Sequence, residues 1–118
     1  MQRLIVLVFL ALSAIATAQT RSTVIHIINV KWKEDATPEQ IKAALDAARQ
    51  LPSKYPGIKR VWTKNLKYQA QDGFSQAIVM EFESEDALKK YADSPAQQWF
   101  YKTYLPVRDD SRTDDVTN

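Results

Sequence analysis

The chain of 118 residues contains no cysteine, a single histidine and only two glycines, Gly57 and Gly73. The missing cysteines rule out disulfides, a thiolate nucleophile and sulfur ligands to a metal. With His26 as the lone imidazole, zinc or copper would lack a ligand set. Two isolated glycines cannot build a phosphate-cradling loop, and no G-x-S-x-G elbow presents a serine nucleophile. The acidic pairs Asp109/Asp110 and Asp114/Asp115 lack the glycine-bearing loop of a calcium site. Haem on His26 would need a large pocket, and nothing in the sequence argues for one. The expectation is therefore a protein without metal or cofactor.

Long apolar runs are also missing, with one exception at the N-terminus. MQRLIVLVFLALSAIATA carries one positive charge, Arg3, then an apolar run from Leu4 to about Leu12, then small residues ending in Ala16-Thr17-Ala18. The order fits a cleavable secretory signal over residues 1–18, and the run is too short to read best as a membrane span. Export to a periplasm or to the medium is expected, with no membrane association after cleavage. No cysteine follows the cleavage site, so a lipoprotein is excluded. The remainder, residues 19–118, is one domain's worth of chain, small enough for a partner subunit to help bury its core.

Charge of one sign is lacking too. Of 16 basic residues Arg3 leaves with the signal, so 15 face 14 acidic ones. This balance argues against nucleic acid as a partner. Lys59, Arg60, Lys64 and Lys67 cluster in one segment, while Asp109, Asp110, Asp114 and Asp115 crowd the C-terminus. The first set reads as a solvated strand face and the second as an exposed tail.

What is present is a succession of short periodic elements. Val24–Lys33 (VIHIINVKWK) is β-branched and apolar and reads as a strand, with His26, Ile28, Val30 and Trp32 on one face. Ile25 and Ile27 make the other face apolar as well, as in a strand covered on both sides. Thr37-Pro38-Glu39-Gln40 is a capping box with Pro at the first helical position, and Ile41, Ala44, Leu45, Ala48 and Leu51 follow at helical spacing. Pro52 is expected to end this helix. Ile58–Tyr68 and Ser75–Glu83 read as the second and third strands, joined through a turn at Gln71-Asp72-Gly73. Ser84 starts a second helix with acidic residues in its first turn. Ser94-Pro95-Ala96-Gln97 starts another helical piece that carries Trp99, Phe100, Tyr101 and Tyr104. A fourth strand around Arg112–Val116 is weak on composition. The order β-α-β-β-α-(short helix)-β predicts an α+β, ferredoxin-like βαββαβ fold with an antiparallel sheet. Helices on one face leave the other wet or buried against a partner, and the strands look apolar on both faces. A homodimer closing sheet against sheet is the expected solution.

The strings HIINVKWK, KYPGI, a Gly before the third strand, and MEFESEDALKKYADSPAQQWF, in this order and spacing, resemble the stress-responsive A/B barrel (Dabb) family over about residues 23–105. The resemblance implies a ferredoxin-like monomer and a homodimer forming a dimeric α/β barrel. It implies little about activity. A plant polyketide cyclase of that family works with a first-strand His, a second His in a His-Pro-Ala-His step, and an assisting Tyr at the end of the second helix. His26 matches the first and Tyr91 the last. Gln97 stands where the second His would be, and it cannot act as a general base. Gln76 stands at a further cavity His and Ala48 at a cavity Tyr.

The candidate site residues are therefore His26 and Tyr91 for chemistry, with Gln76, Gln97 and Trp99 for a ligand pocket. Each has a structural alternative. His26 is expected to be a buried imidazole satisfied by hydrogen bonds, with Tyr91 and Gln97 as candidate partners. Tyr91 sits in a helix stripe with Leu88, and its hydroxyl needs a partner, for which His26 would serve. Gln97 completes a capping box with Ser94. Trp32, Trp62, Trp99, Phe100 and Tyr101 are expected to be core and interface more than pocket wall. The functional expectation is an exported homodimer binding a small apolar or aromatic molecule. The alternative is a cofactor-free, cyclase-like enzyme with His26 as general base.

Overall fold

The computed structural model describes residues 22–68 and 72–117. The expected signal sequence, and the first residue of the Gln71-Asp72-Gly73 turn, lie outside these residues. The elements run β1 (Val24–Trp32), α1 (Pro38–Lys54), β2 (Ile58–Asn65), β3 (Gln76–Phe82), α2 (Glu85–Tyr91), α3 (Pro95–Tyr104) and β4 (Arg108–Thr117). The four strands form one sheet in the order β2-β3-β1-β4, every neighbouring pair antiparallel. The fold is the ferredoxin-like α+β arrangement that the element order predicts. No helix among the described residues is long and apolar enough to cross a membrane.

Local chemistry sets the elements. Thr37 Oγ1 accepts from Gln40 N, and the Gln40 side chain accepts from Thr37 N in return, so both arms of the capping box form. Contrary to expectation, α1 runs through Pro52 to Lys54. Pro52 falls in the last turn, where its missing N–H forfeits a single bond to the Ala48 carbonyl and the helix needs to continue only two residues further. The Tyr55 hydroxyl then donates to Ala87 O at 2.7 Å, tying the end of α1 to α2. Gly57 is required by this approach: a Cβ there would lie 2.7 Å from the Tyr55 ring and 2.9 Å from Ala87 Cβ. Strand β2 stops at Asn65, short of the Tyr68 expected.

The C-terminal acidic stretch is a strand and not a tail. β4 pairs with β1 over its whole length, Val24 opposite Thr117 and Trp32 opposite Arg108. It has almost no apolar side chains, so the ladder and the side-chain pairs hold it: Arg112 reaches Asp72 and lies over the Phe74 ring, while Lys31 meets Asp109 at 3.4 Å.

The sheet has two unlike faces. Toward the helices lie the cross-strand rows Ile58–Phe82–Val24–Thr117 and Val61–Met80–His26–Asp115. The core is here: Val30, Ala44, Ala48, Leu51, Ile78, Met80, Phe82, Phe100 and Tyr104 are buried between sheet and helices. The opposite face carries the rows Trp62–Val79–Ile27–Asp114 and Arg60–Glu81–Ile25–Val116, with no helix over it. Ile25, Ile27, Trp62 and Val79 are only half-buried there. Lys59, Arg60 and Lys64 are exposed on β2, as a solvated strand should be.

Candidate functional site

His26 and Asp115 are direct cross-strand partners, so the register of β1 against β4 sets their side chains side by side on the helix-facing surface. His26 Nδ1 lies 2.5 Å from Asp115 Oδ1. The imidazole is only 16% exposed and the carboxylate 47%, so the pair bridges interior and solvent. A carboxylate accepts only, so the shared proton sits on Nδ1 and the lone pair is left on Nε2. Among the described residues Nε2 has no hydrogen-bond partner. The ring also packs edge-on against Phe82, with centroids 5.8 Å apart.

Above His26 lies a cavity of about 40 Å³. Its polar wall is His26, Tyr91, Gln97, Tyr104, Arg108 and Ser111, and Ile28, Met80, Phe100 and Tyr101 complete it. His26, Tyr101, Arg108 and Ser111 keep partial exposure, so the cavity communicates with solvent at that side. The volume accommodates one or two water-sized groups; an aromatic ring needs several times more.

Arg108 and Ser111 reach this wall through a β-bulge. Residues three apart on a regular strand point to opposite faces. The register shifts between Lys31 and Trp32, where Lys31 opposes Asp110 and Trp32 opposes Arg108. The extra residue, Asp109, turns Arg108 to the same side as Ser111. Arg108 Nη1 then lies 3.4 Å from Ser111 Oγ, and its guanidinium sits 5.5 Å from the Tyr104 ring centre.

The cavity contains two polar atoms in an unusual state. The hydroxyls of Tyr91 and Tyr104 are buried, the residues only 4% and 2% exposed, and neither makes a well-formed hydrogen bond; the Tyr104 hydroxyl does lie close to Arg108 and Ser111, whereas that of Tyr91 has no hydrogen-bond partner. Such groups cost about 1–3 kcal/mol each when left unpaired. Burial pushes both phenols above their ordinary range, Tyr91 the further, so both hydroxyls stay protonated. Tyr91 is therefore not the partner of His26: the register with β4 gives that role to Asp115.

Gln97 is brought to the cavity, but its carbonyl is committed elsewhere. Gln97 N donates to Ser94 Oγ at 3.2 Å, one arm of the expected capping box; the other arm does not form, because Ser94 N donates to Tyr91 O and Gln97 Oε1 accepts from Asp93 N at 2.7 Å. Asp93 has φ of 60°, a left-handed conformation that Asp tolerates, and the two glutamines Gln97 and Gln98 hold it between α2 and α3. Gln76 and Trp99 do not line the cavity. Gln76 sits opposite Val30 and turns its Nε2 toward Ala77 O at 3.3 Å. Trp99 faces α1, with Lys54 Nζ 4.3 Å from its ring centre. Trp32 packs edge-on against Tyr104 and Trp62 lies on the open face beside Arg60. Among the described residues no group of three or more His, Asp or Glu converges as metal ligands.

A ferredoxin-like sheet with a polar cavity under its helices and a bare opposite face defines a class of small α+β proteins. The model of the stress responsive A/B barrel domain matches residues 24–118, and the chain belongs to that family, Dabb. The match extends through β4, beyond the resemblance visible in the sequence. No curated protein matches the chain in sequence. Solved structures do resemble it. A dimeric ferredoxin-like protein of unknown function from Thermobifida fusca shares 22% identity at a TM-score of 0.69, covering 82% of this chain and 92% of its own. Hydroxynitrile lyase from Passiflora edulis shares 19% at a TM-score of 0.74, covering 84% and 95%. A Dabb family protein with a ferredoxin-like fold from Mesorhizobium loti shares 19% at a TM-score of 0.67, covering 80% and 95%. At these identities the likeness is one of fold.

Proposed function

We propose that the protein is an exported homodimer that binds a small molecule, whose polar head enters the cavity beside His26 and whose apolar or aromatic body stays at its mouth. The observation that carries this reading is the buried, unpartnered hydroxyl of Tyr91 in one polar-walled cavity with the Tyr104 hydroxyl, which makes no well-formed hydrogen bond beside Arg108 and Ser111. Groups so costly to leave unpaired are retained where a ligand pairs with them. Export rests on the Arg3, Leu4–Leu12 and Ala16-Thr17-Ala18 pattern. Dimerisation is supported by the bare face bearing Ile25, Ile27, Trp62 and Val79, and by similar structures described as dimeric. Native mass spectrometry of protein recovered from the export compartment tests all three parts. A dimer starting at residue 19 and carrying extra mass is expected; an empty chain would remove the ligand reading, and a monomer the assembly.

A second reading is favoured by one observation, the contact of Asp115 with His26 Nδ1. A carboxylate in that position fixes the orientation and tautomer of an imidazole, so Nε2 serves as a general base without any cofactor. One of the similar structures is an enzyme, the Passiflora hydroxynitrile lyase. Replacing His26 by Ala separates the readings: ligand capture survives it, whereas turnover of the captured compound collapses.

A further inference from the structure

The cavity contains one fixed positive charge and no negative charge to answer it. Arg108 is the only lining side chain that is permanently charged. Among the described residues it forms no ion pair: its neighbour Asp109 is engaged by Lys31, and Asp110 Oδ1 accepts from Ser111 N. Asp115 does not line the cavity; it meets His26 from the β4 side, at Nδ1. Arg108 is half-buried over the Tyr104 ring, and its polar neighbours, Ser111 Oγ at 3.4 Å and the Tyr104 hydroxyl, are both neutral.

Around it are hydrogen-bond donors. The Tyr91 hydroxyl has no partner, the Tyr104 hydroxyl has only Arg108 and Ser111 beside it without a well-formed bond, and burial keeps both protonated. Ser111 adds a third hydroxyl on the same wall. A cation with several convergent donors and no acceptor carboxylate is complementary to an oxyanion. A neutral ligand would leave the guanidinium partly desolvated and unpaired, which is costly.

Granted the reading of this cavity as a small-molecule site, we infer that its ligand is an organic carboxylate, with Arg108 as counter-ion and the hydroxyls of Tyr91, Tyr104 and Ser111 as donors to its oxygens. The bulge at Asp109 is then the feature that builds the site, because it alone brings Arg108 and Ser111 to one face. The carboxylate sits in the cavity and the rest of the molecule passes the rim at Tyr101.

The test compares benzoate with benzamide, nearly equal in shape and differing in charge, by calorimetric titration of the purified protein. Benzoate is expected to bind more tightly by about tenfold or more, the loss typical when a charged hydrogen-bonding group is replaced by a neutral one. Arg108→Gln is expected to bring the two ligands to near parity. Tyr104→Phe, which keeps the ring and removes one oxygen, weakens benzoate several-fold without disturbing the fold. Equal affinity for both ligands in the unaltered protein overturns the carboxylate assignment and leaves the small-molecule reading standing. A benzoate preference that survives both substitutions places the anion elsewhere and also overturns it. Binding of neither ligand overturns it too, and an empty protein in native mass spectrometry would then remove the small-molecule reading as well.

Discussion

The two faces of the sheet treat their buried polar groups in opposite ways. On the open face Glu81 is 6% exposed, yet it is fully answered: Thr23 Oγ1 donates to one carboxylate oxygen and Arg60 Nε to the other, both at 2.8 Å. On the helix-covered face Tyr91 and Tyr104 are buried as deeply, yet the Tyr91 hydroxyl is answered by no protein group and that of Tyr104 makes no well-formed bond with the Arg108 and Ser111 beside it. A structural polar group is retained with its partners because the fold alone must satisfy it. A group left open is what a binding site requires, and the cost is carried by the packing around it. On the proposed reading, the contrast separates the face that stabilises from the face that binds.

The largest test of that division is in apolar side chains. Phe82 is fully buried on the covered face, packed edge-on or tilted against Tyr55, Tyr91 and His26. Phe82→Ala is expected to lower stability by about 3–5 kcal/mol in urea unfolding. Val79→Ala, half-buried on the open face, is expected to cost under about 1 kcal/mol at low protein concentration. If the open face closes on a second copy, the Val79 effect grows with concentration, since association stabilises by mass action. Equal losses at every concentration would erase the distinction between the faces.

Glu81 gives the next largest effect. The Thr23 hydroxyl, and after it the Arg60 guanidinium, hold its carboxyl below the ordinary range. A depressed folded pKa contributes stability above the unfolded value of 4.5, and this is lost as pH falls through the folded value. Glu81→Gln is expected to lose roughly 1–2 kcal/mol at neutral pH, the range for hydrogen bonds to a charged group discounted for the 62% exposure of Arg60. The variant should also show a shallower fall in stability below pH 4.5. Parallel acid profiles for the two proteins would show that Glu81 is not what titrates.

These contrasts were unequally legible beforehand. The alternation in VIHIINVKW and the caps at Thr37 and Ser94 announced β1, α1 and α3, because burial and caps leave periodic traces in the sequence. His26, Tyr91 and Gln97 were recognisable from the resemblance, and all three reach the cavity. The stretch RDDSRTDDVT was not readable as a long strand: its side chains are polar on both faces, and the ladder to β1 leaves no compositional trace. Everything that β4 contributes was therefore missed, namely Asp115, Arg108 and Ser111. Two signals were available. The stretch has no Gly or Pro, and the βαββαβ order needs a fourth strand beside the first. The bulge that turns Arg108 inward has no sequence signature of its own, since it follows from pairing with β1.

The smallest expected effect tests the comparison most directly. Tyr91→Phe and Tyr104→Phe each delete one buried oxygen that makes no well-formed hydrogen bond to a protein group. Removing it relieves a desolvation cost and leaves the ring packing intact, so stability should stay unchanged or rise by up to about 1 kcal/mol. Ligand capture should fall in the same variants. Thermal unfolding measured with and without ligand separates the two effects, because only the ligand-bound protein contains the hydroxyl's bond. A loss in the ligand-free protein as large as that of Glu81→Gln would mean that buried water already satisfies both phenols. The covered face would then be as complete as the open one, and the cavity would be a hydrated void.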